Sequence, residues 1–219
     1  MLDYNGIQFY WTGHDGFRIE GTRKTIYIDP YKLVNVPHDK KNSADIVLIS
    51  HNHFDHLSID DLKQVVNKDT VIVAANECIE QLQEIGVSEI KGVKPGDKLT
   101  VKDITIEVVP AYNVNKKFHP KADNKVGFLF TINDQRIYHA GDTDNIPEMK
   151  TIKTDIALIP VSGTYVMTAG EAAEAVNNSI KPRQLVIPMH YGTIVGSYTD
   201  AKIFKELVKI CETKILERE

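Results

Sequence analysis

Three histidines and one aspartate fall within six consecutive residues, in the pattern H-x-H-x-D-H. They are His51, His53, Asp55 and His56, and they directly follow residues 44–50, an apolar run typical of a buried strand. Imidazole and carboxylate groups are suitable ligands for Zn, Mn or Fe. On a tight loop the first two histidines can point to one side, and the aspartate and the last histidine to the other. One loop can then begin two adjacent metal sites, the arrangement used in two-metal hydrolysis. A polar surface loop is the alternative, but the chain has only 8 histidines.

Two further ligand candidates follow predicted strand ends in the second half of the chain. Asp142 comes after Gly141 at the end of a strand, where glycine permits close backbone approach. Its two oxygens can bridge two cations; an aspartate that caps its own turn is the alternative. His190 leaves the apolar run at 185–188, and with the other candidates in place it is the predicted last ligand of the second metal.

The third protein ligand of a first metal held by His51 and His53 is less clearly marked. His119 is the candidate, and it lies six residues beyond Asn113. Asn113 is nearer to a strand end, but a neutral amide is a poor zinc ligand. The alternative is that His119 is a loop histidine that lines the pocket or binds substrate.

The elements that must position these residues form two halves with a similar order of strands and helices. This order predicts an α/β fold with two sheets face to face and helices outside. Because the candidate ligands are spread over both halves, we expect a single domain over residues 1–219. Asn133-Asp134 marks a hairpin turn, and residues 31–43 are predicted to be a loop. Strands are predicted at 7–11, 16–20, 25–28, 45–49, 71–74, 104–109, 126–132, 135–140, 156–160 and 185–188, and helices from Ser58, from Asn76 to about Ile85, from Thr168 to about Asn178 and from Ala201 to about Ile215.

The composition is that of an ordinary globular protein. Its net charge of −4 and pI of about 6.1 argue against a general nucleic-acid binder, which usually has a basic excess. No apolar run of about 18 residues is present, and the N-terminus lacks the pattern of a signal peptide. Cys78 and Cys211 are far apart and are predicted to be free buried thiols rather than a disulfide. A reducing cytoplasm is therefore the expected location.

The motifs, taken in chain order, resemble those of a known family. The H-x-H-x-D-H run, the later Gly-Asp-Thr at 141–143 and the final His190 are similar to the metallo-β-lactamase superfamily, from Thr12 to about Gly192. Within it, residues 13–17, 138–143 and 188–191 resemble the branch of L-ascorbate-6-phosphate lactonase-like hydrolases, which also includes N-acyl-phosphatidylethanolamine-hydrolysing phospholipase D. The resemblance implies a four-layer αβ/βα sandwich with a dinuclear metal site at one edge.

The same resemblance implies roles for individual residues. One departure is Asn113, since many family members have a histidine at that strand end; either His119 reaches in from the loop, or the first site is weaker. His14 and His139 also recur in the pattern of the branch, as pocket residues that orient a ligand or as packed residues. The implied metal ligands are His51 and His53 for the first metal, Asp55, His56 and His190 for the second, and Asp142 as the bridge between them.

The predicted function is a metal-dependent hydrolase that acts on a small ester, lactone or phosphodiester. Its cofactors are two divalent metal ions, zinc first, with Mn or Fe as alternatives. Two cations that share one oxygen lower the pKa of a water, so that hydroxide is present near neutral pH to attack the substrate. Asp55 is expected to orient this hydroxide or accept its proton, and Asp142 to be essential for turnover. Five further side chains either act on the substrate or only form the rim and surface of the protein. They are Tyr112, Tyr165, Tyr191, Lys116 and Lys117.

Three other function classes compete with a small-molecule hydrolase. A nuclease or RNA-processing enzyme is disfavoured by the acidic balance and by the short chain, which lacks a basic arm. Redox chemistry on a di-iron centre is disfavoured because such relatives typically have Glu at the position of His53. A non-catalytic metal-binding regulatory protein would usually have lost ligands. Hydrolysis of β-lactams is disfavoured by the lack of a secretion signal. The expected partner is a small-molecule substrate. No membrane-spanning segment is expected in the chain, and self-association is left open.

Overall fold

The computed structural model describes residues 1–34, 36, 41 and 43–219, and within them fourteen strands form two mixed seven-stranded sheets. The predicted loop at 31–43 therefore lies partly outside the described residues. In the first sheet the strands lie side by side in chain order, antiparallel from β1 to β4 and parallel from β4 to β7. Its strands are β1 Leu2–Tyr4, β2 Ile7–Gly13, β3 Gly16–Gly21, β4 Lys24–Ile28, β5 Ile46–Ile49, β6 Val71–Ala75 and β7 Glu89–Val93.

The second sheet repeats this arrangement with the second half of the chain. It is antiparallel from β8 to β11 and parallel from β11 to β14. Asn133 and Asp134 both have positive φ angles, of 47° and 59°, and join β10 to β11 as the predicted hairpin turn. The strands are β8 Lys98–Val101, β9 Ile104–Pro110, β10 Val126–Ile132, β11 Gln135–His139, β12 Ile156–Pro160, β13 Leu185–Met189 and β14 Glu212–Thr213.

Four α-helices connect or flank these strands. Ser58 caps the first by accepting from the Asp61 N–H, and Thr168 forms a capping box with Glu171 at the third, both as predicted. Among the described helices, none is both long and apolar enough to cross a bilayer. The helices are α1 Ile59–Val65, α2 Ile79–Leu82, α3 Ala169–Glu174 and α4 Tyr198–Leu207, with 3₁₀ turns at Asn76–Cys78, Lys121–Asp123 and Pro147–Thr151 and a π-helical turn at Ala175–Ile180.

Two predicted helices differ from the structure. The terminal helix ends at Leu207 rather than near Ile215. The following segment instead pairs with β13, and the Lys214 N–H donates to the Val186 carbonyl, because an uncovered strand edge leaves backbone groups without partners. The helix predicted from Asn76 starts as a 3₁₀ turn, since the Asn76 side chain packs against Gly92 rather than capping the helix.

The buried residues of the two sheets belong to one hydrophobic core. Every residue of β5, β6, β12 and β13 is buried, because these parallel strands are covered on both faces. Their continuous apolar sequences are the reason that they could be predicted. The arrangement is the αβ/βα sandwich expected from the sequence.

One edge of the sandwich gathers the carboxyl ends of β5, β11 and β13 together with the turn between β2 and β3. Backbone hydrogen bonds join the two halves there: the Val126 N–H donates to the Ser50 carbonyl at 3.1 Å, and the His190 N–H donates to the His14 carbonyl at 2.9 Å. Because parallel strands end at the same edge, the residues that follow them meet in space. This edge carries the H-x-H-x-D-H loop, Asp142 and His190.

Candidate metal centre

The first cluster at this edge consists of His51, His53 and His119. Their ligand atoms lie within 4.8 Å of one another. The Nε2 atoms of His51 and His119 are each 3.1 Å from Nδ1 of His53. The structure therefore brings His119 to the two histidines of the H-x-H motif. Asn113 lies beside this cluster, with its amide nitrogen 3.5 Å from His119 Nδ1, and the amide donates to the carbonyl oxygens of Phe118 and Tyr165.

Asp142 lies between this cluster and a second one. One of its oxygens is 3.6 Å from His119 Nε2 and 3.3 Å from His190 Nε2, and the other is 3.5 Å from His56 Nε2. Gly141 makes this position accessible, because its φ is +61° and a β-carbon there would lie 2.8 Å from the Val126 carbonyl oxygen. A single carboxylate thus faces histidines of both clusters, as the sequence predicts for a bridging residue.

The second cluster contains His14 as well as His56 and His190. Ligand atoms of these three buried histidines lie within 4.8 Å of one another. Asp55, the predicted ligand from the same loop, pairs with His14 through a contact of 3.0 Å between Oδ2 and Nε2. His14 was expected either to orient a ligand from the pocket or to pack, and the structure places it in the second cluster, in contact with Asp55.

Burial prepares most of these histidines to bind a cation. Desolvation lowers the pKa of His51 and His53, and it lowers the pKa of His14 and of His119 to about 4. They are therefore neutral near pH 7, the form in which imidazole binds a metal. Burial alone would raise the pKa of Asp55, but the hydrogen bond from His14 and nearby histidines lower it to about 2, so its carboxylate is ionised.

His56 differs because acidic groups surround it. Burial opposes its charge, but the Asp142 carboxylate and the hydrogen bond to Asp29 raise the pKa of His56 to about 10. His56 Nδ1 lies 2.9 Å from Asp29 Oδ2, and Asp29 also accepts from the N–H of Ser50 at 2.8 Å. Asp29 therefore fixes the ring orientation and leaves Nε2 directed toward Asp142.

Other positioning groups were not predicted from the sequence. Ser162 Oγ lies 2.8 Å from His190 Nδ1, and Ser50 Oγ lies 3.0 Å from His51 Nδ1. His139 donates from Nε2 to the Asp15 carbonyl at 2.9 Å, so it holds the β2–β3 turn rather than facing the clusters. The residues that contact the clustered histidines are either distant in sequence or single serines, which no sequence pattern marks. Only Asp29, at the carboxyl end of a parallel strand, has a position that indicated a role at this edge.

Several buried polar atoms at this edge have no hydrogen-bond partner among the described residues. They include Asp142 Oδ1, His56 Nε2 and His190 Nε2, together with both carboxylate oxygens of Asp15. Burial, followed by the nearby Asp142 charge, raises the pKa of Asp15 well above its usual value. Unpartnered buried nitrogen and oxygen atoms are costly unless a cation or hydrogen bonds satisfy them. A set of imidazole and carboxylate donors of this kind fits divalent zinc, manganese or iron.

A cavity of about 240 Å³ opens directly above the clusters. Three larger surface clefts, of about 830, 620 and 350 Å³, contain none of the clustered histidines. The smaller cavity is therefore the candidate substrate site. Its lining residues are His53, Phe54, Asp55, Phe118, His119, Asp142 and Tyr165.

Comparisons with known proteins agree with this geometry. A family model described as "Beta-lactamase superfamily domain" matches residues 8–190. A UPF0173 metal-dependent hydrolase of Thermoplasma acidophilum is 33% identical over 96% of this chain and 94% of its own length. One from Lysinibacillus sphaericus is 32% identical over 96% of each chain. The crystal structure of a Parabacteroides distasonis protein described as a metal-dependent hydrolase has a TM-score of 0.82 and 32% identity, covering 97% of this chain and 94% of the other.

The family match spans most of the chain and includes every clustered residue named above, from His14 to His190. The relatives match over almost their whole lengths, so the likeness is not confined to the motif loop. The chain belongs to the metallo-β-lactamase superfamily.

Proposed function

We propose that this edge holds two divalent cations in a hydrolytic centre. Zinc is the proposed metal, and manganese and iron are the alternatives. His51, His53 and His119 are the proposed ligands of the first cation. His56, His190 and Asp55 are those of the second, and Asp142 is shared. The chain is a metal-dependent hydrolase of the metallo-β-lactamase superfamily, as its family and the names of its relatives indicate.

The observation that carries the proposal is the position of Asp142. Its carboxylate lies within 3.6 Å of imidazole nitrogens from both clusters. It is 3% exposed, so water does not satisfy its charge. Burial alone would raise the pKa of Asp142, but the surrounding histidines, His190 first, lower it well below its usual range, and the group is an anion. A buried anion that faces imidazole nitrogens of both clusters favours binding of cations on both sides.

Bound divalent cations supply a low-pKa water and polarise the substrate oxygen. The residues of the chain then position the reactants. Asp55 borders the cavity and is ionised, so it can accept a proton from an attacking water or orient that water. His14 holds one Asp55 oxygen and leaves the other free to act.

The structure separates the three candidate tyrosines. Tyr165 lines the cavity and is 41% exposed, so its hydroxyl can reach a leaving group. Tyr112 instead donates to Glu148 Oε2 at 2.9 Å, and Tyr191 stacks on Trp11. Of the three, we propose Tyr165 as the substrate-facing group.

The proposed substrate is a small ester, lactone or phosphodiester, in keeping with the resemblance to the lactonase-like branch. The 240 Å³ volume of the cavity supports a small substrate, because drug-sized ligands occupy about 300–1,000 Å³. We propose a cytoplasmic location, supported by the two free thiols of Cys78 and Cys211.

The test compares Asp142→Asn with the unchanged protein. We expect the unchanged protein to retain two zinc ions per chain after reconstitution and to hydrolyse one class in a panel of lactones, esters and phosphodiesters. In Asp142→Asn, we expect fewer than two ions and a fall in turnover of more than about 100-fold, because even indirect changes at metal ligands cost 10- to 100-fold. The measurements are metal content by mass spectrometry and initial rates.

The matched control is Asp155→Asn, which removes another buried carboxylate, 2% exposed, at the start of β12. Asp155 accepts from the Arg136 N–H and pairs with Arg183, away from the clusters. This variant is expected to lose stability but to keep both ions. Full metal content and full activity in Asp142→Asn would exclude the shared-carboxylate centre.

A further inference from the structure

Three aromatic side chains surround the mouth of the cavity and are strongly exposed. Phe54 is 66% exposed, Phe118 50% and Tyr165 41%, and they come from three separate loops. Large apolar side chains that cluster at a concave site usually mark a binding surface. We refer to Phe54, Phe118 and Tyr165 as the aromatic rim.

The aromatic rim is held in place rather than left as loose loop tips. The Phe118 and Tyr165 rings meet edge to face, with centroids 4.7 Å apart. The Asn113 side chain donates to the carbonyl oxygens of both residues, at 2.9 and 2.6 Å. Asn113 therefore joins the two loops.

The backbone at Tyr165 supports the same conclusion. Its φ angle is +67°, a left-handed conformation that is unusual for a bulky aromatic residue. Such strain persists only where surrounding contacts enforce it, and it is concentrated at functional sites. The contact from Asn113 supplies that constraint and directs the ring to the cavity.

The cavity offers no side-chain cation to a distant anionic group. Its described lining contains two aspartates and two histidines at the floor but neither lysine nor arginine. Lys116 pairs with Asp144 and Lys121 pairs with Glu148 at 2.7 Å, and Lys117 is not among the lining residues. A phosphate or carboxylate group of the substrate that is remote from the reacting bond would lose its hydration in the cavity without gaining an ion pair with a lining side chain.

We propose that the aromatic rim binds a planar apolar group of a small, uncharged substrate, so that the substrate class is an ester or lactone bearing an aryl group rather than a phosphorylated sugar. This inference rests on the proposed function, because the cavity floor is the proposed metal centre. The rim supplies affinity for the apolar group, and the floor carries the reacting bond.

The test uses three hydroxamates that chelate a metal ion through the same group. They are acetohydroxamate, benzohydroxamate and succinic monohydroxamate, and their affinities for the zinc-loaded protein are measured by calorimetry. We expect benzohydroxamate to bind about tenfold tighter than acetohydroxamate because of the additional buried apolar area. Succinic monohydroxamate should bind no more tightly than acetohydroxamate.

Variants of the rim identify where this preference arises. Phe118→Ala and Tyr165→Asn should each bring the ratio of the benzohydroxamate affinity to the acetohydroxamate affinity close to one. Asparagine is chosen at 165 because it tolerates the left-handed backbone. Tyr198→Ala is the control, since Tyr198 is a 55% exposed aromatic residue that does not line the cavity.

The outcomes separate the two proposals. Equal affinities for the benzo and aceto compounds, or tighter binding of the succinic compound, would overturn the aromatic-rim inference and leave the metal centre standing. Failure of acetohydroxamate itself to bind would overturn the metal centre and the inference with it. A rim-dependent preference for benzohydroxamate supports both.

Discussion

At the scale of single residues, His14 is the position where the structure adds most to the motif. Its ring lies within the second cluster, where its centroid is 4.0 Å from that of the His190 ring. Its Nε2 contacts Asp55. Its φ angle is +53°, and its carbonyl accepts from both Trp11 Nε1 and the His190 N–H. The turn therefore places His14 where it can hold Asp55 in position for the proposed second cation.

Substitution of His14 tests this positioning. Asparagine fits the left-handed backbone but is too short to reach Asp55, so His14→Asn should weaken binding of the second zinc ion by about 10- to 100-fold. Binding of the first zinc ion should not change. The measurement is a competitive titration against a chromophoric chelator that resolves two affinities.

His14→Gln is the matched variant, since a longer amide can still donate a hydrogen bond to the Asp55 carboxylate. It should recover most of the affinity that His14→Asn loses. If His14→Asn keeps both wild-type affinities, the contact with Asp55 has no role in binding the second ion.

The two cysteines give a separate chemical prediction. Burial raises the pKa of the Cys78 thiol well above its ordinary value and that of Cys211 to about 11. Because the thiolate is the nucleophile, iodoacetamide should modify neither thiol appreciably at pH 8 in the folded protein. Mass spectrometry should show two alkylated cysteines only after denaturation. Rapid labelling of the native protein would contradict the raised thiol pKa values of the buried Cys78 and the partly buried Cys211.

The residues of the site could be predicted to different extents. His51, His53, Asp55 and His56 are adjacent in sequence, so their spacing alone indicated a metal site. His119 was selected by ligand chemistry over Asn113, and the structure brings it to the cluster. Asp15 was missed because a single aspartate at a turn has no local pattern. Asp29 follows a strand end, but its partner His56 depends on how distant strands pack.

At the scale of elements, the loop with the H-x-H motif is anchored by residues of two other segments. The Asn52 N–H donates to Glu77 Oε1 at 3.1 Å, and Lys125 Nζ donates to the same oxygen at 2.8 Å. Lys125 is only 4% exposed and immediately precedes β10. Glu77 and Lys125 thus connect the motif loop to both sheets.

A double-mutant cycle of Glu77→Gln and Lys125→Met measures this connection. Glu77→Gln alone leaves a buried ammonium group without its carboxylate, so it should lower the free energy of unfolding by about 1–3 kcal/mol. The double variant should recover part of this loss, which gives a favourable coupling energy. The measurement is urea unfolding of the chelator-treated protein.

The exposed pair Lys91 and Glu89 on β7 provides the comparison, because both side chains are largely open to solvent. Its coupling energy should stay below about 1 kcal/mol, as for other surface pairs. Equal coupling in the two cycles would contradict a structural role for the buried Lys125.

Secondary structure was predictable where burial imposed a pattern. The central strands β5, β6, β12 and β13 are apolar throughout because both faces are covered. The edge strands β1, β7, β8 and β14 were missed, since they are partly exposed and have no continuous apolar run. The predicted terminal helix is too long because the apolar residues of the helix continue into the next segment. That segment forms β14 only by pairing with β13.

At the scale of the whole molecule, the two halves are joined at the same edge that carries the site. Trp11 on β2 stacks on Tyr191, with centroids 4.6 Å apart, and its carbonyl accepts from the Glu219 N–H. The buried Arg18 side chain pairs with Glu219 as well. Neither half can therefore separate without disrupting the candidate metal centre.

This packing predicts that the chain unfolds as one domain. Trp11 is the only tryptophan and reports on the contact between the halves, whereas far-UV circular dichroism reports on both sheets. The two signals should follow a single superimposable transition in urea. A second transition seen by circular dichroism after Trp11 has become exposed would mean that the halves are separate domains.

Zinc should shift that single transition as a whole. Because the proposed ligands come from both halves, only the fully folded chain binds both ions. Each site should then add about 2.7 kcal/mol of stability when free zinc is about 100-fold above its Kd. With a urea dependence of about 1–3 kcal/mol per molar, the midpoint should rise by about 1 M or more. In Asp142→Asn the rise should be much smaller, since the shared carboxylate is lost, and an undiminished rise would show that zinc stabilises the fold from some other place.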